Sequence, residues 1–393
     1  MHSASTGTPS IQSEDLPTMY SSKFTEASAP MKASRLIYMK VVAAGTLAVT
    51  VAMFRFFSIY WGALWKISAH NLQGWVLDFD RSTVGNAVVQ GLLSSSSKVS
   101  WMERPSSDFS GGAAEVANLV VNQKTWIAVV VNSNATTALQ SAVSTANSSY
   151  DGSEAITVYA IEARNENAYR AFIHPSVQTS LAAITQNFSQ SFLQKVASSS
   201  SDTLVSISTT APQVLTEPIS YTLNNLRPFD VPVASAVTFV GLIYVLVLHC
   251  GILAFQVDFS TVLGHSGFLV FWMANYVGML AVGLALEAMV TLMTLRFVPF
   301  FMIFWIIVNV SVCFLPIDVL PHIYRYGYAF PFYNLSCAVR TIIFGTKNEL
   351  GMNFGVLIAW VAVSMFMLPP FQWFMRRKSV AESLRRQATT EKV

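Results

Sequence analysis

Residues 41–64 read VVAAGTLAVTVAMFRFFSIYWGAL, a run of apolar residues broken by a single charge. At about 1.5 Å per helical residue, such a run spans a hydrocarbon core of roughly 30 Å. It lies too far into the chain, and runs too long, for a cleaved signal peptide. Lys23, Lys32, Arg35 and Lys40 lead into it, and Tyr60, Trp61 and Trp65 mark its other end as an interfacial aromatic belt. The segment reads as a signal anchor, a transmembrane helix over 41–65 with its basic flank in the cytoplasm. Arg55 is its only charge. It either snorkels toward the outer headgroups or belongs to a buried functional pair.

Composition agrees with lipid as the solvent. Of the 393 residues, 53% are hydrophobic and 11% are charged, against about 25% charged in soluble domains. The apolar residues sit in long runs rather than in the short alternations of a soluble core. A net charge of +3 is too small to imply nucleic acid, and the basic residues gather at the two ends, as a topology signal does. Cys250, Cys313 and Cys337 all fall in apolar runs and show no zinc spacing. Residues 1–40, rich in Ser, Thr and Pro at their start, read as a disordered cytoplasmic tail.

Beyond the anchor the texture changes over residues 66–232. Gly74–Phe79, Trp126–Val131 and Ala155–Ile161 read as strands, being short, β-branched or aromatic. Val84–Leu93, Ala135–Ala146 and Ser176–Ala197 read as helices; the last carries Val177, Leu181, Ile184, Phe188, Phe192 and Val196 at steps of three and four. Strands alternating with helices imply an α/β domain. The sequons at Asn134, Asn147 and Asn187, in a cysteine-free segment after a signal anchor, make this domain extracytoplasmic and those asparagines candidate glycosylation sites.

From 233 to 374 the chain is a transmembrane block. Val233–Phe255, Gly267–Val290, Phe297–Pro316 and Phe354–Phe374 are spans by length and apolarity. Leu320–Phe344 is ambiguous, with Pro331, Arg325 and Arg340 inside it. Residues 375–393, with Arg376, Arg377, Lys378, Arg385 and Arg386, form a basic cytoplasmic tail. If both basic ends are cytoplasmic the number of crossings is even, which favours Leu320–Phe344 as a sixth span over a re-entrant segment. The expected fold is an α-helical polytopic membrane protein, with an extracytoplasmic α/β domain inserted between its first and second transmembrane helices.

Candidate functional residues are few. Ala274, Gly278, Ala281, Ala285 and Ala288 form a small-residue stripe that lets helix backbones approach, for folding or for dimerisation. Six-span topology puts Glu287 toward the outer leaflet. An intramembrane carboxylate costs roughly 2.5–3.5 kcal/mol, so Glu287 is an interfacial charge, a partner of Arg55 or Arg296, or a pathway residue. Asn275 and Asn309 suit bonds between helices better than substrate binding. Asp78 and Asp80 end a strand, where a turn and a helix cap account for them better than a cation does. No Walker loop and no nucleophile elbow is present. No enzymatic activity, metal or other cofactor is expected.

The order of anchor, far-side α/β domain and helix block is similar to the membrane component of type-2 ABC exporters. Tyr60-Trp-Gly-Ala-Leu-Trp65, Trp75-Val-Leu-Asp-Phe-Asp80, Phe271-Trp-Met-Ala-Asn-Tyr276, Phe304-Trp-Ile-Ile-Val-Asn309 and Tyr324-Arg-Tyr-Gly-Tyr-Ala-Phe-Pro331 carry a closer resemblance. They resemble the fungal nitrosoguanidine-resistance protein family and the related phage-infection protein family. That resemblance implies a link to resistance against toxic small molecules and to lipid organisation; the expected location is the plasma membrane. In the exporter relatives the Pro-rich stretch before the last helix is a re-entrant element. No nucleotide-binding domain is fused here. The leading expectation is an exporter-like homodimer acting on a small-molecule substrate. The alternative is a non-transporting organiser of the bilayer that affects lipid distribution or supports other membrane proteins.

Overall fold

The computed structural model describes residues 24–65, 70–199, 201–231, 234–235, 238, 260–293 and 297–390. The larger part of the expected span Val233–Phe255 lies outside the described residues. Contacts divide the chain into two units, 1–55 and 56–393. In the first, helix α1 (Ala29–Trp65) begins, and it runs unbroken into the second. It is apolar on every side along its centre, which suits a lipid-spanning helix and no amphipathic surface helix.

The second unit contains a mixed five-stranded sheet: β1 (Leu72–Asp78), β2 (Val99–Arg104), β3 (Ile127–Val131), β4 (Ile156–Ala160) and β5 (Tyr221–Asn225). The spatial order is β2-β1-β3-β4-β5, all neighbours parallel except the antiparallel pair β3–β4. Around it lie α2 (Thr83–Leu93), α3 (Gly112–Val121), α4 (Ala135–Thr145), α5 (His174–Ser199) and α6 (Ser201–Thr210). β3, IAVVV, is buried along its whole length, as a central strand covered on both faces should be. Its side chains join Val76, Leu77, Val84, Val88, Val116 and Leu181 in one core. β2 and β5 escape the hydrophobic pattern because they are edges: only Val99 of β2 and no residue of β5 is buried.

The helix block consists of α7 (Gly267–Leu292), α8 (Val298–Val310), α9 (Pro331–Phe344) and α10 (Leu350–Thr390). Among the described residues three helical stretches are long and apolar enough to cross a membrane: Ala29–Trp65, Gly264–Leu292 and Leu350–Arg385. α8 has 13 residues and α9 has 14. At about 1.5 Å per residue each covers only about 20 Å, short of a hydrocarbon core.

Leu320–Phe344 is therefore no single crossing. Its start and its finish both meet the sheet domain: Asp318 accepts from Trp126 Nε1 at 3.3 Å, and the Gly345 carbonyl accepts from Arg227 Nε at 3.1 Å. Between them a 3-10 turn over His322–Ala329 descends to Phe330, which packs on Trp305 and Trp360, and α9 climbs back. Pro321 and Pro331 stop a continuous helix, since neither supplies the N–H that an interior turn needs. The segment re-enters. Gly345, at φ +64, ends α9 in the left-handed conformation that glycine adopts without strain.

This changes the direction of the remaining helices. Val262, just before α7, lies beside Gly345, so α7 starts at the sheet-domain end, as α10 does. α8 runs the other way, because the Phe314 carbonyl beyond it accepts from Asn167 Nδ2 at 3.1 Å. Glu287, about 30 Å along α7, thus sits at the end remote from the sheet domain, not on its side. α10 has 41 residues. At about 60 Å it outruns a bilayer core, and its basic turns project beyond the apolar part.

Candidate functional site

The polar chemistry of the second unit gathers where the sheet domain rests on α8, α9 and the turns between them. A lone charge could not stay there. Arg340 on α9 reaches Glu166, in the turn after β4, with Nη1–Oε2 at 2.6 Å and side chains 6% and 9% exposed. Arg340 Nη1 also donates to the Ala163 carbonyl at 3.0 Å, and its guanidinium lies 5.9 Å from the Phe229 ring. A buried pair needs partners for its other donors, and the Ala163 carbonyl and the Ser336 hydroxyl, 3.5 Å from Nε, supply two of them. Glu166 is carried on a helical turn that Asn165 caps by accepting from the Ala168 N–H at 2.8 Å.

A second cluster stands beside it. The Arg164 guanidinium stacks 3.4 Å over Trp126, donates to the Thr125 carbonyl at 3.1 Å and faces Asp318 at 3.6 Å. Asp318 also accepts from the Tyr328 hydroxyl at 3.1 Å. Burial pushes the Arg164 guanidinium down to about 10, against the pull of Asp318; it remains a cation at neutral pH.

Between the clusters is a cavity of about 80 Å³, lined among others by Arg164, Asp318, Tyr333, Arg340, Lys347, Glu349 and Asn353. Asn353 is 1% exposed, and its Nδ2 has no hydrogen-bond partner among the described residues. A buried donor of that kind calls for an acceptor, and the volume admits several water molecules at about 10–15 Å³ each. Lys347 pairs with Glu349, so the cations and carboxylates on the lining nearly balance. The arrangement is a polar joint between two packed bodies.

The intramembrane candidates are not among the residues that line this cavity. Asn275 is buried and donates to the Phe271 carbonyl of its own helix at 2.8 Å. Asn309, fully buried, donates to the Trp305 carbonyl at 3.0 Å, and its Oδ1 faces the Phe332 N–H that opens α9. Glu287 is exposed on α7, and Arg55 is exposed on α1. The small-residue stripe is used within the chain: Ala274, Gly278, Ala281, Ala285 and Ala288 are buried, and a Cβ on Gly278 would lie 2.8 Å from Leu335 of α9.

In the sheet domain Asn134, Asn147 and Asn187 are all exposed, at the start of α4, in a turn and on α5. Asp78 accepts from the N–H groups of Asp80 and Arg81, and Asp80 accepts from Thr136 N–H and hydroxyl. Both carboxylates therefore act as turn and helix-start acceptors. Glu166, Arg164, Asp318 and Asn353 gave no signal in the sequence, because each is polar in a loop or span whose partners lie far along the chain.

Long apolar helices carrying a sheet domain on a buried polar joint define an integral membrane protein. The chain belongs to the family described as protein of unknown function (DUF3533), which matches residues 46–252 and 249–366. An uncharacterized endoplasmic reticulum membrane protein of Saccharomyces cerevisiae is 35% identical over 134 residues, 33% of this chain. That match spans 26% of the yeast protein's own length. No solved structure matches.

Proposed function

We propose that this chain is a membrane organiser, affecting lipid distribution or supporting other membrane proteins, and not a pump in its own right. One observation carries the reading. Asn275 and Asn309 are buried and hydrogen-bonded to carbonyls of their own helices, while Glu287 faces outward, so the three do not line a common path. Intramembrane polar groups on a transport route face a cavity or each other. The chain is no enzyme in this reading and needs no cofactor. Its partners are lipid and other membrane proteins, including a second copy.

The exporter reading, with resistance to toxic small molecules, is favoured by a different observation, the re-entrant Leu320–Phe344 before the last helix. This is the arrangement that the resemblance to the exporters implies. Architecture alone does not fix function, however, because unrelated activities share folds. The yeast relative's name supports an endoplasmic reticulum location over the plasma membrane. The sequons support a lumenal sheet domain.

The test is efflux from proteoliposomes of purified chain, with and without a proton gradient, beside lipid asymmetry measured in cells lacking it. The organiser reading expects no gradient-dependent efflux and altered asymmetry. Gradient-driven efflux that Glu287→Gln abolishes would establish the exporter reading instead. Glycosidase treatment should shift the mass of the expressed chain. Unmodified Asn134, Asn147 and Asn187, with a sheet domain cleaved by protease only from the cytosol, would overturn the lumenal placement.

A further inference from the structure

The strand order of the sheet reverses at β1. From β1 the chain crosses through α2 to β2 on one side, while β3 pairs with β1 on the other. The carboxyl ends of β1 and β3 are thus a topological switch point, the place where open α/β sheets offer a crevice to ligands.

A crevice is there. Thr83 and Val84 open α2 beyond β1, Thr136 stands in the first turn of α4 beyond β3, and α5 lies across both. Its volume is about 390 Å³. Small-molecule sites run from roughly 300 to 1,000 Å³ and are mostly apolar with a few polar groups. This one fits: Leu139, Val143, Phe188 and Phe192 form its walls, with the two Phe rings stacked at 6.1 Å. Lys195, exposed on α5, stands at the rim. The nearby carboxylate of Asp80 is engaged by the Thr136 N–H and hydroxyl at 2.9 and 2.5 Å. The starts of α2 and α4 both turn the positive ends of their dipoles to the same place.

We propose that this crevice binds a small amphiphile, its single apolar chain between α4 and α5 and its anionic head, carboxylate or phosphate, at Lys195. The inference rests on no part of the organiser reading.

The test uses the full chain in phosphatidylcholine nanodiscs, with diazirine-bearing decanoate, decyl phosphate and decanol below their micellar concentrations. After irradiation, adducts are mapped by mass spectrometry. They should concentrate on peptides holding Leu139–Val143 and Phe188–Val196. The charged probes should bind about five-fold tighter than decanol, as one partly exposed ion pair supplies. Lengthening octanoate by each CH₂ should tighten binding about four-fold until the crevice is filled. Lys195→Glu should remove the preference for charged heads and keep decanol labelling, and Val143→Trp should remove both. Stronger labelling by decyl phosphate would point to a phospholipid head, and by decanoate to a free fatty acid. Adducts confined to transmembrane helices of the unaltered chain, or equal binding of decanol and both anions, would overturn the proposal without reliance on any variant.

Discussion

The sheet domain and the helix block hold together by different physics. In the sheet domain, β3 and its neighbours bury Val, Ile and Leu against α2, α3 and α5, and removal of apolar surface from water is the main driving force. In the helix block, lipid is as apolar as the packed interior, so burial of that kind gains little. There the contacts are the Leu335 side chain seated against Gly278, Asn309 Oδ1 facing the Phe332 N–H of α9, and ring packing of Trp305, Phe330 and Trp360. Where the two regions meet, buried ion pairs and hydrogen bonds are added to apolar packing such as Phe229 on Phe344. Substitutions should therefore hurt by different mechanisms in the two regions, and most at the joint.

The largest effect is expected at Arg340. Arg340→Met leaves Glu166 buried and uncompensated, a loss of about 3–5 kcal/mol, whereas Arg340→Met with Glu166→Leu should restore most of it. Thermal melting of the purified chain reads this. A double variant as unstable as the single would show that the joint depends on something other than charge pairing.

A smaller effect separates the two faces of α7. Gly278→Leu drives atoms into Leu335, at a cost of about 1–3 kcal/mol. Gly283, whose Cβ would meet nothing within 4 Å, should accept Leu within about 0.5 kcal/mol. Equal tolerance at both would mean that the stripe does not set the packing.

The smallest effect belongs to the sheet domain alone. Tyr150 donates to the Pro218 carbonyl at 2.7 Å, and its phenol is pushed up to about 12, first by burial and then by Asp151 and Glu154. An unfolded tyrosine titrates near 10. Between about pH 10 and 12 the folded state therefore holds the extra proton, and stability falls as pH rises through that window. Tyr150→Phe should flatten this part of the alkaline melting curve while lowering stability slightly at neutral pH.

The sequence carried the parts of the fold that are patterned locally. The apolar run of α1, the buried strands β1, β3 and β4, and the stepwise apolar face of α5 each report their own environment. β2, VSWMER, and β5, YTLNN, do not, because an edge strand needs little apolar surface. Leu320–Phe344 has the length of a span, and the even-crossing argument outweighed Pro331, Arg325 and Arg340, while Pro321 and Gly327 were not weighed. Pro321 and Pro331 break it into a turn and a short helix. The joint was illegible for another reason: Glu166 and Arg340 are 174 residues apart, and no local pattern links them. Glu287 was legible as an unusual charge, but its side of the membrane followed from the crossing count and changed with it.

From Asp318 to Gly345 the chain leaves the sheet-domain side and returns to it. Single cysteines at His322, Asn348, Ser148 and Gln387, all exposed, in a chain whose native cysteines are replaced, can be challenged with an impermeant maleimide in sealed microsomes. Gln387→Cys should react at once, and His322→Cys, Asn348→Cys and Ser148→Cys only after permeabilisation. His322→Cys and Asn348→Cys reacting from opposite sides would contradict that return and make the segment a crossing.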